Sequence, residues 1–96
     1  MKLPKGLNYV ETYIDIADDI YLLKVGNLYN TEIYKEFQER IKLNSGGYKS
    51  NHTKKCINLL LPDNIFVFQK EFNWYVCIND KTVNFVDNMI IKIKGV

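Results

Sequence analysis

Histidine, cysteine and proline are scarce in this sequence of 96 residues, which contains one, two and two of them. One histidine and two distant cysteines are too few for a zinc motif, whose ligands come in closely spaced pairs. His52 stands in a polar stretch with no serine or cysteine in a pattern typical of a nucleophile and its base. The sequence therefore predicts no metal, no cofactor and no catalytic residue, and we expect a protein that is not an enzyme.

Long apolar runs are also missing. No segment approaches the about 20 apolar residues of a membrane helix, and no apolar signal region follows the opening residues. We therefore expect a cytoplasmic protein that does not contact membranes. Cys56 and Cys77 each lie in an apolar run, which favours two buried, reduced thiols over a disulfide between neighbouring strands.

A strong charge of one sign is the third absence. The formal net charge is only +2, which argues against a dedicated binder of duplex DNA. The small surplus is local, because residues 31–55 carry most of it while the rest of the chain is close to balanced. Any contact with phosphate or with an acidic surface is therefore expected in that region.

Hydrophobic residues make up 47% of the chain, charged residues 25% and aromatic residues 14%. This composition is typical of a folded protein, and the length predicts a single domain over residues 1–96. The many Asn, Lys and Ile residues indicate an AT-rich genome, as in many phages and mobile elements. Aromatic residues favour strands and supply large contact areas.

One segment has the pattern of an amphipathic helix, over about residues 31–44. Asn30 is a suitable N-cap, and Ile33, Phe37 and Ile41 recur at four-residue spacing as one apolar stripe. The glycine pair at residues 46–47 can end the helix. The apolar stripe is expected to pack on one face of a sheet.

The remaining segments read as strands separated by turn residues. The predicted strands cover residues 8–16, 20–25, 56–61, 65–69, 74–78, 82–86 and 89–93. The short connections favour antiparallel pairing. The prediction is an α+β fold, mainly antiparallel sheet, in the order ββ-α-ββββ. A sheet face that the helix does not cover would carry aromatic residues, but the sequence leaves their register open.

The segment GGYKSNHTKK, residues 46–55, is predicted to be a basic loop. The segment is interpreted first as a solvated connector. The alternative is contact with single-stranded nucleic acid, which lysines, an aromatic ring and flexible glycines suit. The candidate residues of this loop are Tyr48, Lys49, His52, Lys54 and Lys55, with possible help from Lys42, Lys92 and Lys94. A helix ended by Gly-Gly-aromatic and followed by a Lys-led apolar strand is similar to short modules of phage and plasmid proteins. That similarity names no family and implies no function.

Three carboxylates, Asp15, Asp18 and Asp19, cluster at the first predicted turn. Aspartate is common in turns because its side chain bonds the local backbone. An acidic patch for a basic partner is the alternative interpretation.

Two functions remain after these exclusions, while a third, a small-molecule enzyme, would need a pocket beside Cys or Asp residues and has no support in the sequence. The first is a non-catalytic protein-binding module, such as a phage- or mobile-element-encoded inhibitor of a host protein. Its contact residues would be the aromatics Tyr9, Tyr13, Phe72 and Trp74, wherever these are exposed, and a free sheet edge could pair with a partner strand or with a second copy. The second is binding of single-stranded nucleic acid through residues 46–55.

Overall fold

A computed structural model describes residues 2–93, which form eight strands and one helix. The elements are β1 Leu7–Ile16, β2 Asp19–Leu28, β3 Thr31–Phe37, β4 Arg40–Leu43, α1 Asn51–Leu60, β5 Ile65–Lys70, β6 Asn73–Ile78, β7 Lys81–Asn84 and β8 Met89–Lys92. They build a five-stranded sheet, in the order β1-β2-β3-β4-β8, and a three-stranded sheet, in the order β5-β6-β7. All neighbouring strands are antiparallel. The predicted α+β class is confirmed.

The predicted helix over residues 31–44 is wrong, because this segment forms the β3–β4 hairpin. Tyr34 pairs with Leu43 and Glu36 with Ile41, so these four side chains point to the core side of the sheet. The turn lies at residues 38–39, which both have left-handed φ angles, as a two-residue hairpin turn requires. The strand order is therefore ββββ-α-ββββ rather than ββ-α-ββββ.

The only helix within residues 2–93 is α1, in a segment predicted to be half loop and half strand. Ser50 is its N-cap, since the Ser50 hydroxyl accepts a hydrogen bond from the backbone N–H of Thr53. Four residues at helical spacing form its buried side: Thr53, Cys56, Ile57 and Leu60. Pro62 follows one residue after the C-cap, where it cannot continue the helix.

Helix α1 lies between the two sheets, contacting β2 and β3 on one side and β5 on the other. Gly26 allows this approach to β2, because a Cβ atom at that position would collide with the side chain of Leu60. Nearby, the Lys24 ammonium donates to the backbone carbonyl of Leu60 at 3.1 Å. A cation suits this position, since the last carbonyls of a helix lack partners.

Asn58 joins α1 to the three-stranded sheet. Its side-chain amide donates to the carbonyl of Val67 at 2.9 Å and accepts from the N–H of Val67 at 2.7 Å. Strand β5 is an edge strand that pairs only with β6. The Asn58 amide therefore takes the place of a neighbouring strand on that edge.

The five-stranded sheet has one covered and one uncovered face. Helix α1 and the core cover the face that carries Tyr34, Ile41 and Leu43, all fully buried. The opposite side carries the residues that alternate with them, and we call it the open face. Its residues on β1 to β3 include Val10, Thr12, Ile14, Ile16, Asp19, Tyr21, Leu23, Val25, Lys35 and Phe37, and those on β4 and β8 are Arg40, Lys42, Ile90 and Lys92.

No helix within residues 2–93 has the length and apolar character to cross a membrane. The prediction of free cysteines is confirmed, since Cys56 and Cys77 are both unpaired. Cys56 is buried, but Cys77 is partly exposed, on the outer side of the three-stranded sheet.

Because Tyr34 is buried, we expect the protein to lose stability at alkaline pH. Burial, reinforced by the hydrogen bond that its hydroxyl donates to Glu36 at 2.7 Å, raises the pKa of Tyr34 far above its ordinary value. The unfolded chain then loses this proton above about pH 10 while the folded chain keeps it. The free energy of unfolding should therefore fall by about 1.4 kcal/mol per pH unit from pH 10 upward.

Urea unfolding of the wild type and of Tyr34→Phe between pH 9 and pH 11.5 would measure this contribution. The phenylalanine variant should lack it. Burial also raises the pKa of the Cys56 thiol, so the difference between the two proteins, rather than the raw slope, isolates the tyrosine. Tyr13→Phe is the control, because Tyr13 is exposed and its replacement should leave the pH dependence of stability unchanged. If the free energy of unfolding of the wild type and of Tyr34→Phe falls equally with pH, the assignment to Tyr34 is contradicted.

Candidate functional site

The outer side of the three-stranded sheet carries an exposed cluster of aromatic rings. Phe68 pairs with Tyr75 across β5 and β6, with ring centroids 5.6 Å apart, and Phe66 lies 5.8 Å from Phe68 along β5. Phe66 is 47% exposed. We call these three residues, with Phe72 in the adjoining turn, the aromatic face. Large rings on a solvent-facing sheet are unusual unless another surface covers them.

Charge is almost absent from this side of the sheet. Alternation along the paired strands places Lys70, Asn73, Cys77, Thr82 and Asn84 beside the rings. Lys70 is the one Lys, Arg, Asp or Glu among these five residues, and Glu71 adjoins Phe72 in the turn. Depletion of charge around aromatic residues is typical of the centre of a protein–protein interface.

Phe72 is the most exposed large apolar residue of the described chain, with 95% of its surface accessible. It lies in the two-residue β5–β6 turn, where Glu71 has a φ of 52° and Phe72 a φ of 71°. A left-handed φ is unfavourable for a bulky residue, and glycine or asparagine is preferred there. The turn therefore holds a phenylalanine in a strained position where it makes no contribution to the core.

The β3–β4 turn has the same backbone geometry as the β5–β6 turn and can be compared with it directly. The β3–β4 turn has two residues with left-handed φ at the equivalent positions, Gln38 at 51° and Glu39 at 62°. Neither is apolar, and both are exposed. The strain is thus common to the tight hairpins of this chain, whereas the exposed aromatic ring is particular to the β5–β6 turn.

Residues 46–55 are divided by the structure into a short connector and the start of α1. Tyr48 is 77% exposed, Lys49 is exposed, and Lys55 is exposed on the helix. His52 lines a cleft of about 400 Å³ together with Tyr48 and the polar Ser45 and Ser50. Two of the three lysines already have contacts within the chain. The Lys49 ammonium lies over the Phe85 ring, 5.8 Å from its centroid, and the Lys54 ammonium donates to the Gln69 side chain at 3.4 Å.

The predicted exposed aromatics lie apart from one another. Trp74 is 4% exposed and packs edge-on against Phe85 in the core, so it does not meet the condition of exposure. Tyr9 and Tyr13 lie on the five-stranded sheet, on the same side as α1. The Lys24 ammonium covers the Tyr9 ring at 5.3 Å, which gives Tyr9 a structural contact, whereas Tyr13 is 71% exposed.

Comparison with known families decides the origin of the chain. The family described as Kyanoviridae Gp96 protein matches residues 10–92. The chain belongs to the Kyanoviridae Gp96 protein family. The match covers both sheets and the helix, and the expected phage origin is confirmed, since the Kyanoviridae are phages. No curated protein and no solved structure matches this chain.

His52 and Cys56 lie one helical turn apart, with the sulfur 3.9 Å from the His52 Nε2 atom. That nitrogen is 2.7 Å from the backbone carbonyl of Lys5. Because a carbonyl only accepts, Nε2 must hold the proton of this bond and is not available to take one from the thiol. Burial raises the pKa of Cys56, which further opposes formation of a thiolate.

The carboxylates of the first turn lie where the sequence predicts them. Ala17 and Asp18 form the turn, with Asp15 and Asp19 on the strands that flank it. Within residues 2–93 no group of three or more His, Cys, Asp or Glu side chains is arranged to hold a metal ion. The acidic cluster is therefore a feature of the hairpin tip.

Lys94, named from the sequence as a possible aid to the basic loop, lies outside the described residues.

Sequence reasoning named Phe72 but missed Phe66, Phe68 and Tyr75. Alternation along β5 and β6 was the signal that could have found them, because Ile65 and Val67 on one side leave both phenylalanines on the other. The sequence alone does not say which side meets the helix.

Proposed function

We propose that this chain is a non-catalytic, phage-encoded protein-binding module that covers a surface of a host protein with its aromatic face. The observation that carries the proposal is the position of Phe72, which is fully presented to solvent from a strained turn beside Phe68 and Tyr75. The Phe72 ring takes no part in the core, and the β3–β4 turn of the same geometry carries no apolar side chain. Rigid aromatic side chains supply most of the binding energy in many interfaces.

The way the host protein is affected follows from this mode of contact. A flat sheet carrying rings and few charges suits an apolar area on a folded partner rather than a charged polymer. Covering such an area inhibits the host protein when the area belongs to its active site or to its own interface. We place this action in the host cytoplasm, where free thiols such as Cys77 stay reduced.

The test is the substitution Phe72→Gly, which separates a binding role from a structural one. Glycine removes the ring and accepts the left-handed φ, so the free energy of unfolding should rise by about 1 kcal/mol and Tm by about 4–8 °C. Affinity for the host protein should fall about 30-fold, the loss typical of a hot-spot residue. The partner is first isolated from host lysate on immobilised wild-type protein and then titrated with purified variants.

The matched control is Glu39→Gly in the β3–β4 turn, which has the same geometry without the ring. It should gain a similar Tm and bind the partner as the wild type does. A Phe72→Gly variant that is stabilised and still binds with wild-type affinity refutes the assignment of the aromatic face. A variant that is destabilised shows instead that Phe72 has a structural role.

Binding of single-stranded nucleic acid is the second candidate, favoured by the cleft that brings Tyr48 and His52 together beside the first turn of α1. The same isolation, repeated after nuclease digestion, decides between them. Nucleic-acid binding predicts that captured material disappears with digestion, and that Lys49, Lys54 and Lys55 replaced together by glutamate abolish capture. Capture that survives both treatments supports the protein partner.

A further inference from the structure

Four cationic side chains form a compact cluster on the open face of the five-stranded sheet. Lys35 pairs directly with Lys42 across β3 and β4, and Arg40 pairs directly with Lys92 across β4 and β8. Like charges in directly opposed positions destabilise a sheet. Two such pairs side by side destabilise the folded chain, so the cluster is expected to serve a function rather than the stability of the sheet.

The surroundings of the cluster offer no counter-charge on the sheet. Along the paired strands, the neighbours of the four cations on the open face are Val25, Phe37 and Ile90. A depression of about 240 Å³ lies among Phe37, Ile90 and three of the cations, Lys35, Arg40 and Lys42. The cluster is therefore a shallow, positively charged site with apolar walls.

The β1–β2 hairpin is the second unexplained feature. Pairing between β2 and β3 runs only from Lys24 to Leu28, whereas β1 and β2 pair along their whole length. Residues 12–23 therefore extend beyond the pairing with β3 as a two-stranded arm, which we call the arm, and the edge-on contact of Tyr21 with Phe37 joins it to β3. An isolated two-stranded hairpin is only marginally stable in water.

The arm is apolar along its strands and acidic at its tip. Its apolar side chains are exposed or half-buried, and they are Tyr13, Ile14, Ile16, Ile20, Tyr21, Leu22 and Leu23. Asp18 and Asp19 lie at the tip, and Asp19 pairs with Ile16, which places it on the open-face side. The arm thus leaves apolar side chains such as Tyr13 and Ile20 exposed and presents carboxylates, while the cluster lacks carboxylates and presents apolar walls.

We propose that the open face is an interface between two copies of this chain, in which the acidic arm of each copy lies against the cationic cluster of the other. The arm belongs to β1 and β2 and the cluster to β3, β4 and β8 of one sheet. A two-fold axis that places one arm on the partner's cluster also places the partner's arm on the first cluster, so both contacts form at once. The apolar residues between them, such as Val10 and Val25, then pack face to face.

A second copy fits the open face better than a nucleic acid does. Aliphatic residues are the largest group on the face, and its two aromatic rings, Tyr21 and Phe37, pack edge-on against each other at 63° rather than lying flat for base stacking. The net charge of +2 also points away from a phosphate polymer. This dimer is independent of the aromatic face, which lies on the other sheet.

Two charge-reversed variants test the proposal without any external partner. Lys35→Glu with Lys42→Glu reverses the cluster, and Asp18→Lys with Asp19→Lys reverses the tip. Each variant alone opposes like charges at both contacts, so its dimer dissociation constant should rise at least about 10-fold in sedimentation experiments at low salt. An equimolar mixture restores opposite charges at both contacts and should dimerise as the wild type does.

Lys54→Glu with Lys55→Glu is the matched control, since it reverses two lysines on the helix and should leave the dimer unchanged. Circular dichroism and Tm confirm that each variant is folded before it is compared. A wild type that stays monomeric throughout the sedimentation experiments, or a dimer that persists in both reversed variants, refutes the proposal. The second result would indicate pairing through the β1 edge, and oligo(dT) bound by a monomer through Lys35 and Lys42 would assign the cluster to nucleic acid.

Discussion

Replacing Asn58 with leucine is expected to lower the free energy of unfolding by about 3 kcal/mol and Tm by roughly 12–24 °C. The Asn58 amide makes two hydrogen bonds to the backbone of Val67, at 2.9 and 2.7 Å. Val67 is 2% exposed, so its N–H and carbonyl cannot turn to water when the amide is removed. Each unpaired buried group costs about 1–3 kcal/mol, and both lose their partner in this variant.

Asn51→Leu is the matched control, because it makes the same change at an exposed position of the same helix. The Asn51 side chain accepts only a surface hydrogen bond from Lys54 at 3.3 Å, and the variant should stay within about 0.5 kcal/mol of the wild type. Asn58→Asp keeps the acceptor for the Val67 N–H but loses the donor, so it should be destabilised as well. Urea unfolding of all three variants measures the series, and an Asn58→Leu protein as stable as the control would disprove the bridging role.

The segment predicted to be a helix, residues 31–44, forms a β-hairpin instead, because its apolar pattern is compatible with both structures. Ile33, Phe37 and Ile41 have helical spacing, but they do not share one side in the hairpin. Ile33 and Ile41 are buried, while Phe37 is half-buried on the open face. A strand pair separated by a two-residue turn can mimic a four-residue period, and the turn is the only feature that distinguishes the two structures.

That turn carries no recognisable turn chemistry. Gln38 and Glu39 adopt left-handed φ angles for which asparagine and glycine are the usual residues. Tertiary packing therefore overrides local preference at this hairpin, as it does at the turn that holds Phe72. The Ala17–Asp18 turn has the same geometry, but the aspartates around it made that hairpin predictable.

Helix α1 was hidden by the change of character along its length. Its polar first half looks like a loop and its apolar second half like a buried strand. The available signal was the Ser50 cap followed by Thr53, Cys56, Ile57 and Leu60 at helical spacing. Spacing across the loop–strand boundary, rather than within either half, would have identified the helix.

The candidate sites depend on pairing register, which explains how much of them the sequence could give. Phe72 was named on the condition that it is exposed, and it meets that condition because it lies in a turn. Phe66, Phe68 and Tyr75 come together only through the pairing of β5 with β6, and the four cations only through the pairing of β4 with both β3 and β8. Lys42 and Lys92 were named as basic residues, but 50 positions separate them in the chain, and only the sheet makes them neighbours.

Replacing Leu60 with alanine is expected to lower the free energy of unfolding by about 3 kcal/mol. Leu60 is 2% exposed and lies over Gly26 of β2, with the backbone of the sheet directly beneath it. No side chain at position 26 can move into the space that the leucine leaves, so a cavity remains. The result would show that the close approach of α1 to the five-stranded sheet depends on this one contact.

Gly26→Ala should by itself cost about 1–2 kcal/mol, because the new methyl group displaces the Leu60 side chain. In the double variant the methyl group partly fills the cavity instead of colliding with the leucine. The double variant should therefore be at least about 1 kcal/mol more stable than the sum of the two single effects predicts. Gly26→Ala combined with Val76→Ala, at a buried position of the other sheet, should be additive within about 0.5 kcal/mol. Additive effects of Gly26→Ala and Leu60→Ala in urea unfolding would mean that the two residues do not share this space.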